Sequence, residues 1–206
     1  DDPDLTADRP VLLRALGRIG HIAAAPLLGR WLLDKDKATY HSQALDVLLQ
    51  LLRDRIQPEQ KRADGRQYPR YREELALETL PPLLDHDNAA IRTRVVEVLG
   101  NLEAKPAETL LVRLLDDRDE AIRALACAQL AQRIVAGMPG ASLEPLTRAL
   151  IGGRRELLLA AAEGLAKQQR PEAFQPLLLA FTAGTDVERK RAIAALGELG
   201  DRRALE

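Results

Sequence analysis

A chain of 206 residues that is 46% apolar but only 3% aromatic must build its core from Leu, Ala, Val and Ile, a composition that leans helical. Thirty Lys and Arg against 31 Asp and Glu leave a net charge of -1, so bulk charge argues for neither a nucleic-acid nor a membrane partner. The single cysteine, Cys127, excludes an internal disulfide framework and points to a reducing, cytoplasmic compartment.

The opening residues, DDPDLTAD, are acidic and unlike a signal peptide, and no apolar run approaches the roughly 20 residues of a membrane span. The first periodic stretch carries the phrase Ala15-Leu16-Gly17-Arg18-Ile19-Gly20, and its Leu-Gly pair serves as a ruler for the rest. A weaker copy, HSQALDVLLQLL, places Leu48-Leu49 in register. The phrase returns at Leu99-Gly100, Leu130-Ala131, Leu165-Ala166 and Leu196-Gly197. The repeat length is about 31–35 residues, with one longer interval between Leu48 and Leu99.

Each unit reads as two helices. The first has apolar residues at helical spacing, as in Ile91, Val95, Val98 and Leu99, or Ile122, Leu125, Ala126 and Leu130. The second is a Leu-rich run such as ETLLVRLLDD or FQPLLLAFTAG, with Pro106 and Pro171 in first-turn positions where a missing N–H costs nothing. Acidic or Gly-containing turns separate the units, and Asp87 and Asp186 are expected to cap the helices that follow. The approximate units are 4–36, 37–86 with an insertion at 53–70, 87–118, 119–152, 153–184 and an incomplete 185–206. One helical hairpin cannot bury its apolar stripe alone, whereas stacked hairpins share a continuous core. The expected fold is an all-α, right-handed α-solenoid of about six two-helix repeats spanning residues 1–206. Neither end has the polar character of a capping repeat, so a longer array with further domains is expected.

The phrases AIRTRVVEVLGNL, EAIRALACAQLA and RKRAIAALGELGDRRALE resemble HEAT repeats, in particular the short bacterial HEAT-like class also found in phycobilisome lyases. The resemblance covers the chain except for about residues 53–70. The signatures of tetratricopeptide and ankyrin repeats are missing.

Aligning the units puts Arg9, His41, Arg92, Arg123 and Arg189 at one position of the first helix, with Leu158 breaking the series. Acidic residues Asp4, Asp36, Asp87 and Asp119 shortly precede four of them, so the series reads as a structural ladder that ties neighbouring units by charge-assisted hydrogen bonds. The HEAT-like resemblance implies that second helices line a concave binding face. There the chain offers Arg30, Arg113 and Arg148, with Trp31 and Phe181 one position further along. Arg and Trp are common binding anchors, although solvated arginines and core-filling aromatics at the Leu114 and Leu150 positions fit the same pattern. The insertion is basic and carries Arg62, Arg66, Tyr68, Arg70 and Tyr71, which suits either a binding loop or a linker.

No residue set carries recognisable catalysis. His21, His41 and His86 lie far apart in sequence, and Asp85-His86-Asp87 reads as an inter-unit turn rather than a metal site. The glycines of IGGRRE follow a helix instead of a strand, so no phosphate loop is expected, and no cofactor or metal is implied. The reading that follows is a non-catalytic scaffold or adaptor that binds a protein partner along its concave face and the 53–70 loop. The alternatives are a nucleic-acid-binding HEAT-like module and a bilin lyase-like protein.

Overall fold

The computed structural model describes residues 9–19, 22–53, 68–152 and 154–205, and among them every regular element is helical. The chain forms two compact units, Asp1–Val98 and Leu99–Glu206.

The first unit holds α1 (Arg9–Ile19), α2 (Ala25–Leu33), α3 (His41–Arg53), α4 (Tyr68–Thr79) and most of α5 (Ala89–Asn101). Short 3-10 turns at Ile22–Ala24, Lys35–Tyr40 and Pro81–Asp85 set the corners. Helix α2 opens with a first-turn proline, Pro26, and buries Ala25, Leu28, Gly29 and Leu32, the spacing of one helical face. That face meets α3 and α4, and α1 also packs on α3. At Gly29 of α2 an added Cβ would stand 2.5 Å from the Thr79 methyl of α4, so only glycine fits without a shift.

The second unit continues with α6 (Lys105–Leu114), α7 (Glu120–Val135), α8 (Glu144–Ile151), α9 (Arg155–Lys167), α10 (Phe174–Ala183) and α11 (Asp186–Leu199). A 3-10 turn, Pro171–Ala173, leads into α10, and another, Arg202–Leu205, follows α11. First helices stack on one another, α7 on α9 and α9 on α11, while α8 and α10 each touch the first helices on both sides. This arrangement explains the alanine-rich sequence of α9. With neighbours on several faces, Leu157, Leu159, Ala160, Ala161, Ala162, Leu165 and Ala166 are all buried. Small residues let the helices approach, and a Cβ on Gly164 would overlap the Ala131 methyl of α7.

Three expectations need correction. The helix after Asp87 is capped one residue later, by Asn88, whose side chain accepts from the Ala90 N–H at 2.9 Å. Likewise α11 is capped by Thr185, not Asp186: Thr185 Oγ1 accepts from the Glu188 N–H and the Glu188 carboxylate accepts from the Thr185 N–H. This reciprocal box satisfies two end donors at once, which a lone carboxylate at position 186 would not. The third concerns the insertion. Residues 54–67 lie outside the described part, but Tyr68, Pro69 and Arg70 already form the first turn of α4. Proline is tolerated in a first helical turn, so Pro69 is compatible with that start.

Candidate functional site

The residues singled out in the sequence fall into two settings, the faces of second helices and the turns between pairs. On α2, Arg30 is exposed and lines a notch of about 360 Å³ with Pro26, Gly29 and Leu33. The opposite wall comes from Glu78 and Thr79 of α4 and from Pro82. Thr79 is 6% exposed, and its Oγ1 has no hydrogen-bond partner among the described residues. A guanidinium, a carboxylate and a buried hydroxyl therefore border one small cleft with proline and leucine walls. Neither Glu78 nor Thr79 stands out in the sequence, because their juxtaposition with Arg30 depends on the α2–α4 approach at Gly29.

Trp31 does not join this notch. It is half-buried, with the Lys37 ammonium 5.7 Å from its ring centroid, and Lys37 in turn pairs with Asp34. In the second unit Arg113 is exposed on α6, and Arg148 is exposed on α8, where it pairs with Glu144 at 2.5 Å. Phe181 of α10 is 42% exposed, whereas Leu114, at the corresponding position of α6, is buried. Arg62 and Arg66 lie outside the described residues. Tyr68, Arg70 and Tyr71 belong by backbone to the start of α4, with their side chains outside the described part.

The ladder position does a local job in three of its members. His41 Nε2 lies 2.9 Å from the carbonyl of Asp34. Arg92, almost wholly buried, donates to the carbonyls of His86 at 2.7 Å and Asp87 at 3.3 Å. Arg123 donates to the Asp117 carbonyl at 2.9 Å. The preceding turn thus contributes backbone oxygens to these side chains. Arg123 also reaches across to α9, where its Nε and Nη2 donate to Glu156 Oε1 at 2.8 and 2.5 Å. Burial opposes the charge on Glu156, but a backbone hydrogen bond and the pair with Arg123, helped by Arg154, hold its carboxyl below the ordinary 4.5. Arg189 is exposed and pairs within its own helix, with Asp186 at 3.3 Å. The link from α11 back to α9 is made instead by Arg191, bidentate to Glu163 with both distances 2.7 Å. Arg9 opens α1, and its side chain lies outside the described part.

Sequence reading misses Arg133. This guanidinium is fully buried, near the end of the long helix α7. It donates to the carbonyls of Leu99, Leu102 and Ala104 from the preceding pair and to Pro139 in the loop that follows α7. Close by, the buried Glu108 of α6 accepts from both the backbone N–H and the hydroxyl of Ser142 at 3.1 Å. Both groups fix the turns at one edge of the stack.

The turn Asp85-His86-Asp87 is organised by the imidazole. His86 Nδ1 accepts from the Asn88 N–H at 2.9 Å, and Nε2 is 2.8 Å from the Leu32 carbonyl, so both ring nitrogens are engaged. Among the described residues no cluster of three or more His, Cys, Asp or Glu is arranged to hold a metal ion. Burial pushes the Cys127 thiol up to about 12, which keeps it protonated and a poor nucleophile near neutral pH. No helix among the described residues is long and apolar enough to cross a membrane.

Comparison with known proteins gives the same picture. Residues 188–206 match the family model of the PBS lyase HEAT-like repeat. No curated protein matches the chain. Among solved structures, a designed armadillo repeat protein in complex with the peptide (KR)4 superposes with a TM-score of 0.51 at 20% identity, covering 97% of this chain and 95% of that one. This likeness concerns the fold, an α-solenoid of stacked helical repeats, which is compatible with a protein-binding scaffold. One HEAT-like repeat is thus matched in sequence, over residues 188–206, and the α-solenoid fold is matched over nearly the whole length.

Proposed function

We propose that the chain is a non-catalytic interaction module that binds an extended segment of a partner protein along its second helices. The observation that carries this reading is the notch between α2 and α4, where Arg30 and Glu78 flank the unpartnered Thr79 hydroxyl. A peptide backbone offers one N–H and one carbonyl per residue, the complement of a carboxylate and a guanidinium. The designed armadillo relative in fold was solved with a peptide bound, which supports the same use of the architecture. In the second unit Arg113 and Arg148 are further exposed arginines on α6 and α8, and the basic stretch 53–70, with Arg62, Arg66, Tyr68, Arg70 and Tyr71, offers additional binding side chains. The buried, unreactive Cys127 suits a reducing, cytoplasmic setting.

Selection of displayed linear peptides on the intact chain, followed by fluorescence anisotropy of the enriched sequences, tests the proposal. Arg30→Ala and Glu78→Ala should each weaken binding by about tenfold, the loss expected for one charge-assisted contact. Combined replacement of Arg62, Arg66 and Arg70 by Ala should weaken it further and flatten its salt dependence. If no linear peptide is enriched, or if the enriched peptides bind the Arg30 and Glu78 variants as well as the parent, the reading fails.

A further inference from the structure

The notch between α2 and α4 brings together a cation and an anion that do not use each other. Of the residues that line it, only Arg30, Glu78 and Thr79 carry polar side chains. Arg30 and Glu78 are both exposed, and among the described residues their side chains enter no hydrogen bond or ion pair, with each other or with any neighbour. Elsewhere in the first unit, charges of opposite sign that share a surface do pair: Lys35 with Asp87 at 3.7 Å, and Arg94 with Glu97 at 2.8 Å. The walls of the notch are poor in alternative partners. Pro26 and Pro82 have no backbone N–H, Leu33 is apolar, and Gly29 has no side chain.

We propose that the notch reads a pair of opposite charges in the partner segment: an Asp or Glu that meets Arg30, and a Lys or Arg that meets Glu78. The inference rests on the reading of the chain as a peptide-binding module and names what that module selects. A segment lying in the notch covers both charges and takes water from them. Backbone amides alone would leave two formal charges partly desolvated against neutral partners. Side chains of opposite charge answer each of them with hydrogen bonds roughly twice as strong as neutral ones. An exposed ion pair by itself contributes little, so the selectivity comes from the penalty on segments that cover a charge without supplying its counter-charge. A segment with two like charges fares worse, because one of them is brought against a charge of its own sign. The two readers stand on different helices, Arg30 on α2 and Glu78 on α4, so each can be altered without touching the other.

The test selects displayed linear peptides in parallel on the intact chain and on its Arg30→Glu and Glu78→Arg variants. Both changes fall at exposed positions, and circular dichroism melting of the variants should match the parent. The intact chain should enrich segments with one acidic and one basic residue. Arg30→Glu should enrich segments with two basic residues, and Glu78→Arg segments with two acidic ones. In anisotropy titrations, changing the acid of an intact-chain peptide to Lys should weaken its binding to the intact chain by about tenfold or more and restore binding to Arg30→Glu. Replacing the acid or the base of that peptide by Gln, which needs no variant protein, should cost about tenfold each. Enriched peptides that depend on Arg30 and Glu78 but carry no charge pair overturn this inference and leave the peptide-binding reading standing. Enrichment of the same charges by all three proteins does so too. If no peptide is enriched at all, both fall together.

Discussion

Helices α9 and α11 hold the same place in successive repeats and differ in almost everything their neighbours decide. The central helix, α9, is contacted by α7, α8, α10 and α11, and its face of small residues disappears from solvent. In α11, Ala192, Ala195 and Leu199 are buried against α9 and α10, while Ile193 is exposed. The repeated phrase therefore specifies a helix with two apolar sides, and burial of each side depends on which element the fold brings to it. Ion pairs follow the same division. Glu156 and Glu163 on α9 receive Arg123 from one side and Arg191 from the other, whereas Arg189 on α11 pairs within its own helix.

The largest test of this contrast is Arg133 against Arg189. Arg133→Met keeps most of the side-chain volume but removes the donors that satisfy the Leu102, Ala104 and Pro139 carbonyls. Leaving buried acceptors unpaired should lower stability by about 3 kcal/mol or more, read as a shift of the urea midpoint. Arg189→Met, which breaks only an exposed pair, should leave the midpoint where it was. Equal effects would mean that the buried clamp contributes nothing beyond a surface contact.

Arg133 also marks where legibility in the sequence ends. The helices, their pairing and their period follow from the Leu-Gly phrases and the 3.6-residue spacing of Leu, Val and Ile, and the described helices fall where those patterns place them. The burial of Arg133 does not follow, because its acceptors come from residues some 30 positions earlier and are backbone atoms, which no side-chain pattern reveals. One hint was present: the interval from Leu130 to Leu165 is slightly long, and the extra residues form the loop that closes over the guanidinium. The caps at Asn88 and Thr185 were missed by a single residue each, since adjacent Asp residues have nearly the same capping propensity. Arg30 was visible as a second-helix arginine. Its partners Glu78 and Thr79 were not, because the approach of α2 to α4 is set by the absence of a side chain at Gly29.

The next test concerns the distance between first helices. Gly164 lets α9 lie against α7, and a methyl there would meet Ala131, including its backbone Cα at 3.4 Å, as well as Leu146 at 3.0 Å. A backbone cannot step aside as the end of a flexible side chain can, so Gly164→Ala has to push the helices apart. Overpacking of this kind costs about 1–3 kcal/mol, more than the ~1 kcal/mol that Ala gains over Gly in helix propensity. The expected result is a net loss in the urea midpoint, smaller than that of Arg133→Met.

The smallest effect is also the one of opposite sign. Gly197 sits in α11 with ordinary helical backbone, and a Cβ added there would meet nothing within 4 Å. Nothing in the packing therefore opposes the gain in propensity, and Gly197→Ala should raise stability by up to about 1 kcal/mol. The same chemical change, one methyl on a first-helix glycine, is thus expected to destabilise at 164 and stabilise at 197. The sign at 197 reports directly on whether anything covers this face of α11 in solution. A destabilising Gly197→Ala in the isolated chain would show a close neighbour at that face and would remove the distinction between α9 and α11.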